Sequence, residues 1–118
     1  MSDVILDSVK LKLGIVLSET HFDNQLVDYI NMALAELHQV GVGETPFFIV
    51  NDSENPDTWD DLNQNEFVTE LCKTYVTKSV SLVFNPPSSS AMEQATKDIC
   101  DRLLFRIHIA VDPGENYG

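Results

Sequence analysis

Apolar residues recur at helical spacing in four stretches of the chain, and each stretch ends at a residue that a helix does not readily continue past. From about Asp3 to Leu13, the residues Val4, Ile5, Val9 and Leu13 mark one face of a short amphipathic helix, and Gly14 stands where a left-handed cap is wanted. Thr20, with Asp23 three positions on, has the chemistry to cap a second helix. Its stripe is Phe22, Leu26, Val27, Ile30, Ala33, Leu34 and Leu37, with Asp23, Asp28, Asn31 and Glu36 largely off it. Gly41 ends that helix, and Val42 is placed to fold back onto the last turn in the Schellman manner.

Between residues 41 and 62 the helical period disappears. The stretch holds Gly41, Gly43, Pro46, Pro56 and the acids Glu44, Asp52, Glu54, Asp57, Asp60 and Asp61, and it reads as a long acidic loop. Phe47-Phe48-Ile49-Val50 reads as a short strand within it, and Trp59 stands alone beyond Pro56. Long connections in small domains are functional or disordered, and the aromatic residues favour an arm partly docked on the domain.

A third helix opens at Asn63, whose side chain can cap while Glu66 reaches back. It carries Phe67, Val68, Leu71, Cys72, Tyr75, Val76, Val80 and Val83, and stops at Asn85-Pro86-Pro87 because proline supplies no amide donor. The threonines and valines of its second half also suit a strand. The fourth helix restarts at Ser90 with Glu93 completing a capping box, and its stripe is Met92, Ala95, Ile99, Leu103 and Ile107. Past Leu103, the residues Leu104, Phe105, Ile109 and Val111 spread apolar surface around most of the helix, more than one small bundle covers. Phe105 to Val111 also alternate with Arg106 and His108, so a terminal strand is the second reading there. Asp112-Pro113-Gly114 closes the element and leaves a tail over 112–118. The expected fold is all-α, a small four-helix bundle with a long acidic loop (41–62) between helices 2 and 3, in a single domain over residues 1–118.

Composition narrows the function more than the fold. A chain of 118 residues with 43% hydrophobic content buries enough surface to fold without metals or disulfides. Seven Lys and Arg against nineteen Asp and Glu give a net charge of −12, which repels a duplex phosphate backbone. No apolar run approaches the ~20 residues of a membrane span, and Met1-Ser2-Asp3 does not read as a secretory signal, so a cytoplasmic location is expected. Between Leu13 and Cys72 there are twelve acids and no Lys or Arg, so the acidic middle either faces water or meets a basic surface.

Candidate chemistry is sparse. No Walker loop, GxGxxG, HExxH, GxSxG or kinase signature occurs, and no cofactor is called for. His21, His38 and His108 lie on different elements without a partner that would orient a base, and fit surface or capping roles. Cys72 and Cys100 fall on apolar stripes as buried free thiols. A calcium loop from Asp52 would want glycine sixth and glutamate twelfth, where Asp57 and Asn63 stand, so the acidic loop reads as solvated charge. Phe47, Phe48 and Trp59 either close the chain's own core or dock a neighbouring subunit.

The order of these features resembles the head-tail connector, or head-completion adaptor, proteins of long-tailed phages and prophages. The residues that carry the resemblance are Leu13-Gly14-Ile15, Phe22-Asp23 through Tyr29-Ile30-Asn31 and Leu37, Gly41-Val42, Trp59, Tyr75-Val76 through Lys78, Phe84-Asn85-Pro86-Pro87-Ser88-Ser89, and Arg102-Leu103 with Arg106. Phe105 stands where such proteins commonly have Trp beside the terminal Arg. The resemblance implies a non-enzymatic virion subunit at the head-tail junction. It implies a homo-oligomeric ring, dodecameric in the family, between the portal protein and the stopper or tail-completion protein, with DNA passing through the channel unbound.

On that footing Tyr75, Leu104, Phe105, Phe47, Phe48 and Trp59 are candidate subunit-interface residues. His108, Ile109 and Val111 are candidates for the portal contact, and Asp60 and Asp61 for acids facing the channel. The alternative from charge alone is a small acidic DNA mimic that inhibits or regulates a basic host protein; its binding would fall steeply with salt.

Overall fold

The computed structural model describes residues 3–63 and 65–111. Its elements are α1 (Ile5–Lys12), α2 (Asp23–Gln39), α3 (Trp59–Leu62), α4 (Glu66–Phe84) and α5 (Ser90–Val111). Among the described residues there is no strand; Val4 and Thr58 form an isolated antiparallel bridge. The all-helical expectation holds, and the terminal-strand reading of Phe105 to Val111 gives way to continuous helix. The tail over 112–118 lies outside the described residues.

α4 is the central element, with α2 packed against one stretch of its surface and α5 against another. Both neighbours run antiparallel to it. The Tyr75 hydroxyl donates to Glu36 Oε1 at 2.7 Å, while Phe84 meets Phe22 edge-on at 5.2 Å. Toward α5, Ser79 Oγ lies 3.9 Å from Cys100 Sγ, and Phe67 shares a groove with Phe105 and Ile109. α1 lies across α2 and α4. The molecule measures 49 × 40 × 21 Å, so its thin dimension is about two helix diameters.

That geometry decides which predicted stripes are buried. Leu26, Val27, Ile30, Ala33, Leu34 and Leu37 of α2 are all buried, as their spacing predicts, against Val68, Cys72, Val76 and Val80 of α4. Burying each large aliphatic side chain there contributes about 1.5–3 kcal/mol. The α5 stripe is narrower than predicted: Cys100, Leu103 and Ile107 are buried and Ile99 half-buried, whereas Met92 and Ala95 are exposed. Phe67 and Val83, placed on the α4 stripe by period, are also exposed.

The helix ends follow local chemistry with small displacements. After α2, Gly41 adopts φ +112°, and the Val42 amide donates to Leu37 O at 3.0 Å, the predicted Schellman closure. A Cβ at Gly41 would stand 2.9 Å from Val111 Cγ2, so the position requires glycine both for its backbone and for the approach of α5. Asn65, not Asn63, caps α4 by accepting from the Val68 amide, while Asn63 accepts from the Asn65 amide. Ser89, not Ser90, accepts from Met92 at the start of α5, and Glu93 pairs with Lys97 instead of reaching back. Thr20 does not cap α2, which begins at Asp23 with Phe22 at the N-cap position and no side-chain cap.

The stretch read as loop from 41 to 62 contains the single turn α3, closed by a capping box in which Asp61 Oδ2 accepts from the Thr58 amide and hydroxyl. Phe47 to Val50 is extended but has no strand partner. Instead Asn31 of α2 takes the place of one, its Nδ2 donating to Ile49 O at 3.0 Å and its Oδ1 accepting from Ile49 N at 2.8 Å. Asn51 then reaches Asn24, so the arm runs back along α2 toward that helix's start.

Candidate functional site

Two residues four apart on α5, Leu103 and Ile107, point into the core, which fixes where the rest of that helix must look. At about 100° per residue, Phe105 and Ile109 form a second i, i+4 pair on nearly the opposite face. Phe105 is 67% exposed and Ile109 39%, and Phe67, in the first turn of α4, is 61% exposed. With Arg106 and Ala110 these three line an open groove of about 280 Å³. That is below the ~300–1,000 Å³ typical of small-molecule sites, and an open apolar groove of this kind suits a side chain from another polypeptide better.

Arg102 and Arg106 border the same end of α5 and are both exposed. Among the described residues neither forms an ion pair; the pairs present use Lys10, Lys73 and Lys97. The groove is therefore an apolar floor with one arginine, Arg106, in its lining.

The other candidate residues separate into covered and open groups. Trp59 is 0% exposed and Tyr75 3%, so their own chain covers both side chains and neither offers a face to a neighbour in this conformation. The Trp59 side chain is part of the chain's own core cluster. Phe47 and Leu104 are half-buried against the core, while Phe48 is exposed. His108 Nδ1 lies 3.0 Å from Val40 O, a contact at the C-terminal end of α2, and Val111 packs on Gly41. Ile109 is turned toward Phe67 and Phe105. Asp60 and Asp61 occupy the exposed first turn of α3, where acids suit a helix N-terminus.

Buried nucleophiles carry no chemistry. Burial pushes the Cys72 thiol up to about 12 and raises Cys100 as well, so both are protonated and inert at neutral pH. Burial and the hydrogen bond to Glu36 likewise raise Tyr75. Among the described residues no three His, Cys, Asp or Glu side chains gather in a way that could hold a metal ion. No helix among them is long and apolar enough to cross a membrane.

One feature that periodicity did not reveal is the Lys10–Asp23 pair, 2.8 Å apart and almost fully enclosed. The Lys10 ammonium also donates to Leu17 O and Glu19 O, which ties the α1–α2 connection to the start of α2. The signal available in the sequence was distributional: Lys10 and Lys12 are the only bases before a stretch with twelve acids.

Comparison with known proteins identifies the setting of this surface. A family described as "Phage connector protein" matches residues 5–114, nearly the whole chain. No curated protein and no solved structure matches. The chain belongs to the phage connector protein family and is thus a structural phage protein.

Proposed function

We propose that this protein is the adaptor subunit that forms a ring between the phage portal and the stopper or tail, extending the DNA channel after packaging. The observation that carries the reading is the exposed apolar face of Phe67, Phe105 and Ile109 on a helix whose opposite face is already buried. A chain with a self-sufficient core gains nothing from such a face alone, and contact with another protein removes it from water. Cyclic repetition of one heterologous contact closes a ring, and twelve copies is the number the family resemblance suggests.

In this reading Phe105, Phe48, Leu104 and Phe47 belong to the lateral contact between subunits. The end of α5, with His108 and Val111 seated on the C-terminus of α2, faces the portal. The acids of α3, Asp60 and Asp61, face the lumen, where repulsion keeps passing DNA from adhering. Electron microscopy of the purified protein mixed with its portal tests this. The expected result is an added annular layer on the portal; a bare portal beside unbound protein, at protein concentrations well above those of the portal, contradicts it.

A further inference from the structure

The arm and the groove have complementary chemistry and lie on different elements of the chain. Along the arm, the two bonds from Asn31 hold Ile49 inward, with Ile49 only 3% exposed. In an extended segment side chains alternate, so Phe48 and Val50 project outward together, and they are 52% and 64% exposed. The residues that follow supply negative charge: Asp52, Glu54 and Asp57 are in no ion pair among the described residues. The groove offers the converse, an apolar floor with Arg106 in its lining, and Arg102 stands one turn before it on α5. The arm lies along α2, whereas the groove is built on α5 and the first turn of α4.

We infer that the groove of one copy receives the Phe48–Val50 edge of the next copy's arm, with the arm's acids set against Arg102 and Arg106. The inference rests on the ring reading and specifies its lateral contact. The contact is heterologous, so each copy gives its arm to one neighbour and receives one from another, and repetition leads to a closed ring or a filament. Charge on the arm and on the arginines sets the register, while the aromatic and aliphatic side chains supply the buried area.

The test mixes two singly substituted chains, Phe48→Cys and Phe105→Cys, with and without the portal, and adds a short bismaleimide. The native cysteines are buried and serve as an unreactive background. The expected result is a cross-linked dimer in the mixture, at least tenfold above either variant alone, with its yield falling when Arg106→Glu is added to the Phe105→Cys chain. Dimers from Phe105→Cys alone would reveal a groove-to-groove contact and overturn the inference. So would a Phe105→Cys chain that cross-links to the portal and not to the arm. If the wild-type chain forms rings on the portal while the mixture gives no dimer, the inference fails and the adaptor reading stands. If no self-association occurs under any condition, both fail.

Discussion

Replacing Lys10 by alanine should destabilise the folded chain by about 3–5 kcal/mol, the range for removing one partner of a buried ion pair. The Lys10 side chain is 2% exposed and that of Asp23 11%, so water does not replace the lost ammonium. The substitution strands the Asp23 carboxylate and also the carbonyls of Leu17 and Glu19, which share the same ammonium. For a chain of this size the loss corresponds to a melting temperature lower by roughly 10–20 °C. Removing both charges together, as Lys10→Met with Asp23→Leu, should recover most of the loss, because neither charge is then left buried alone. Urea denaturation of the wild type, Lys10→Ala and the double variant gives the numbers. A Lys10→Ala loss under about 1 kcal/mol, the magnitude of an exposed pair, would show that the pair is solvated.

Trp59→Ala should cost a similar amount, about 3–5 kcal/mol, for a different reason. Trp59 is fully enclosed at the start of α3, where its amide donates to Asp3 O and its neighbours Asp57 and Thr58 pair with the start of α1. Truncation leaves a cavity under the place where the arm returns to the helices. Among the described residues the indole Nε1 has no hydrogen-bond partner, so Trp59→Phe gives up none of the bonds seen there and should cost well under half as much. Thermal melts of the isolated chain distinguish a core residue from an interface anchor. A Trp59→Ala chain that melts like wild type but fails to assemble would return Trp59 to the interface.

The readable parts of the sequence were those set by local chemistry. The α2 stripe from Leu26 to Leu37 and the Schellman closure at Gly41 and Val42 depend on neighbours within one helix and its end, and both came out as the pattern implied. Cap positions shifted by one or two residues, at Asn65 and Ser89, because each of those segments offers several cap-competent side chains. Period alone placed Phe67, Val83 and Met92 in the core; which positions a neighbouring element covers is set by tertiary packing, which no local pattern encodes, and these three stay exposed. The surplus of apolar surface at Phe105 and Ile109 was legible because it encircles α5, whereas the participation of Phe67 in the same groove depends on how α4 and α5 align. The Lys10–Asp23 pair joins two elements and leaves no periodic trace.

Co-sedimentation of the portal with wild-type protein and with Phe105→Asp weighs the assembly claim most directly. The exposed position of Phe105 means the substitution should leave the melting of the free chain unchanged within about 0.5 kcal/mol. The wild type should pellet with the portal as a full layer and Phe105→Asp should remain in the supernatant. A Phe105→Asp chain that joins the portal as completely as wild type would contradict the claim that this face of α5 exists to be covered by another protein.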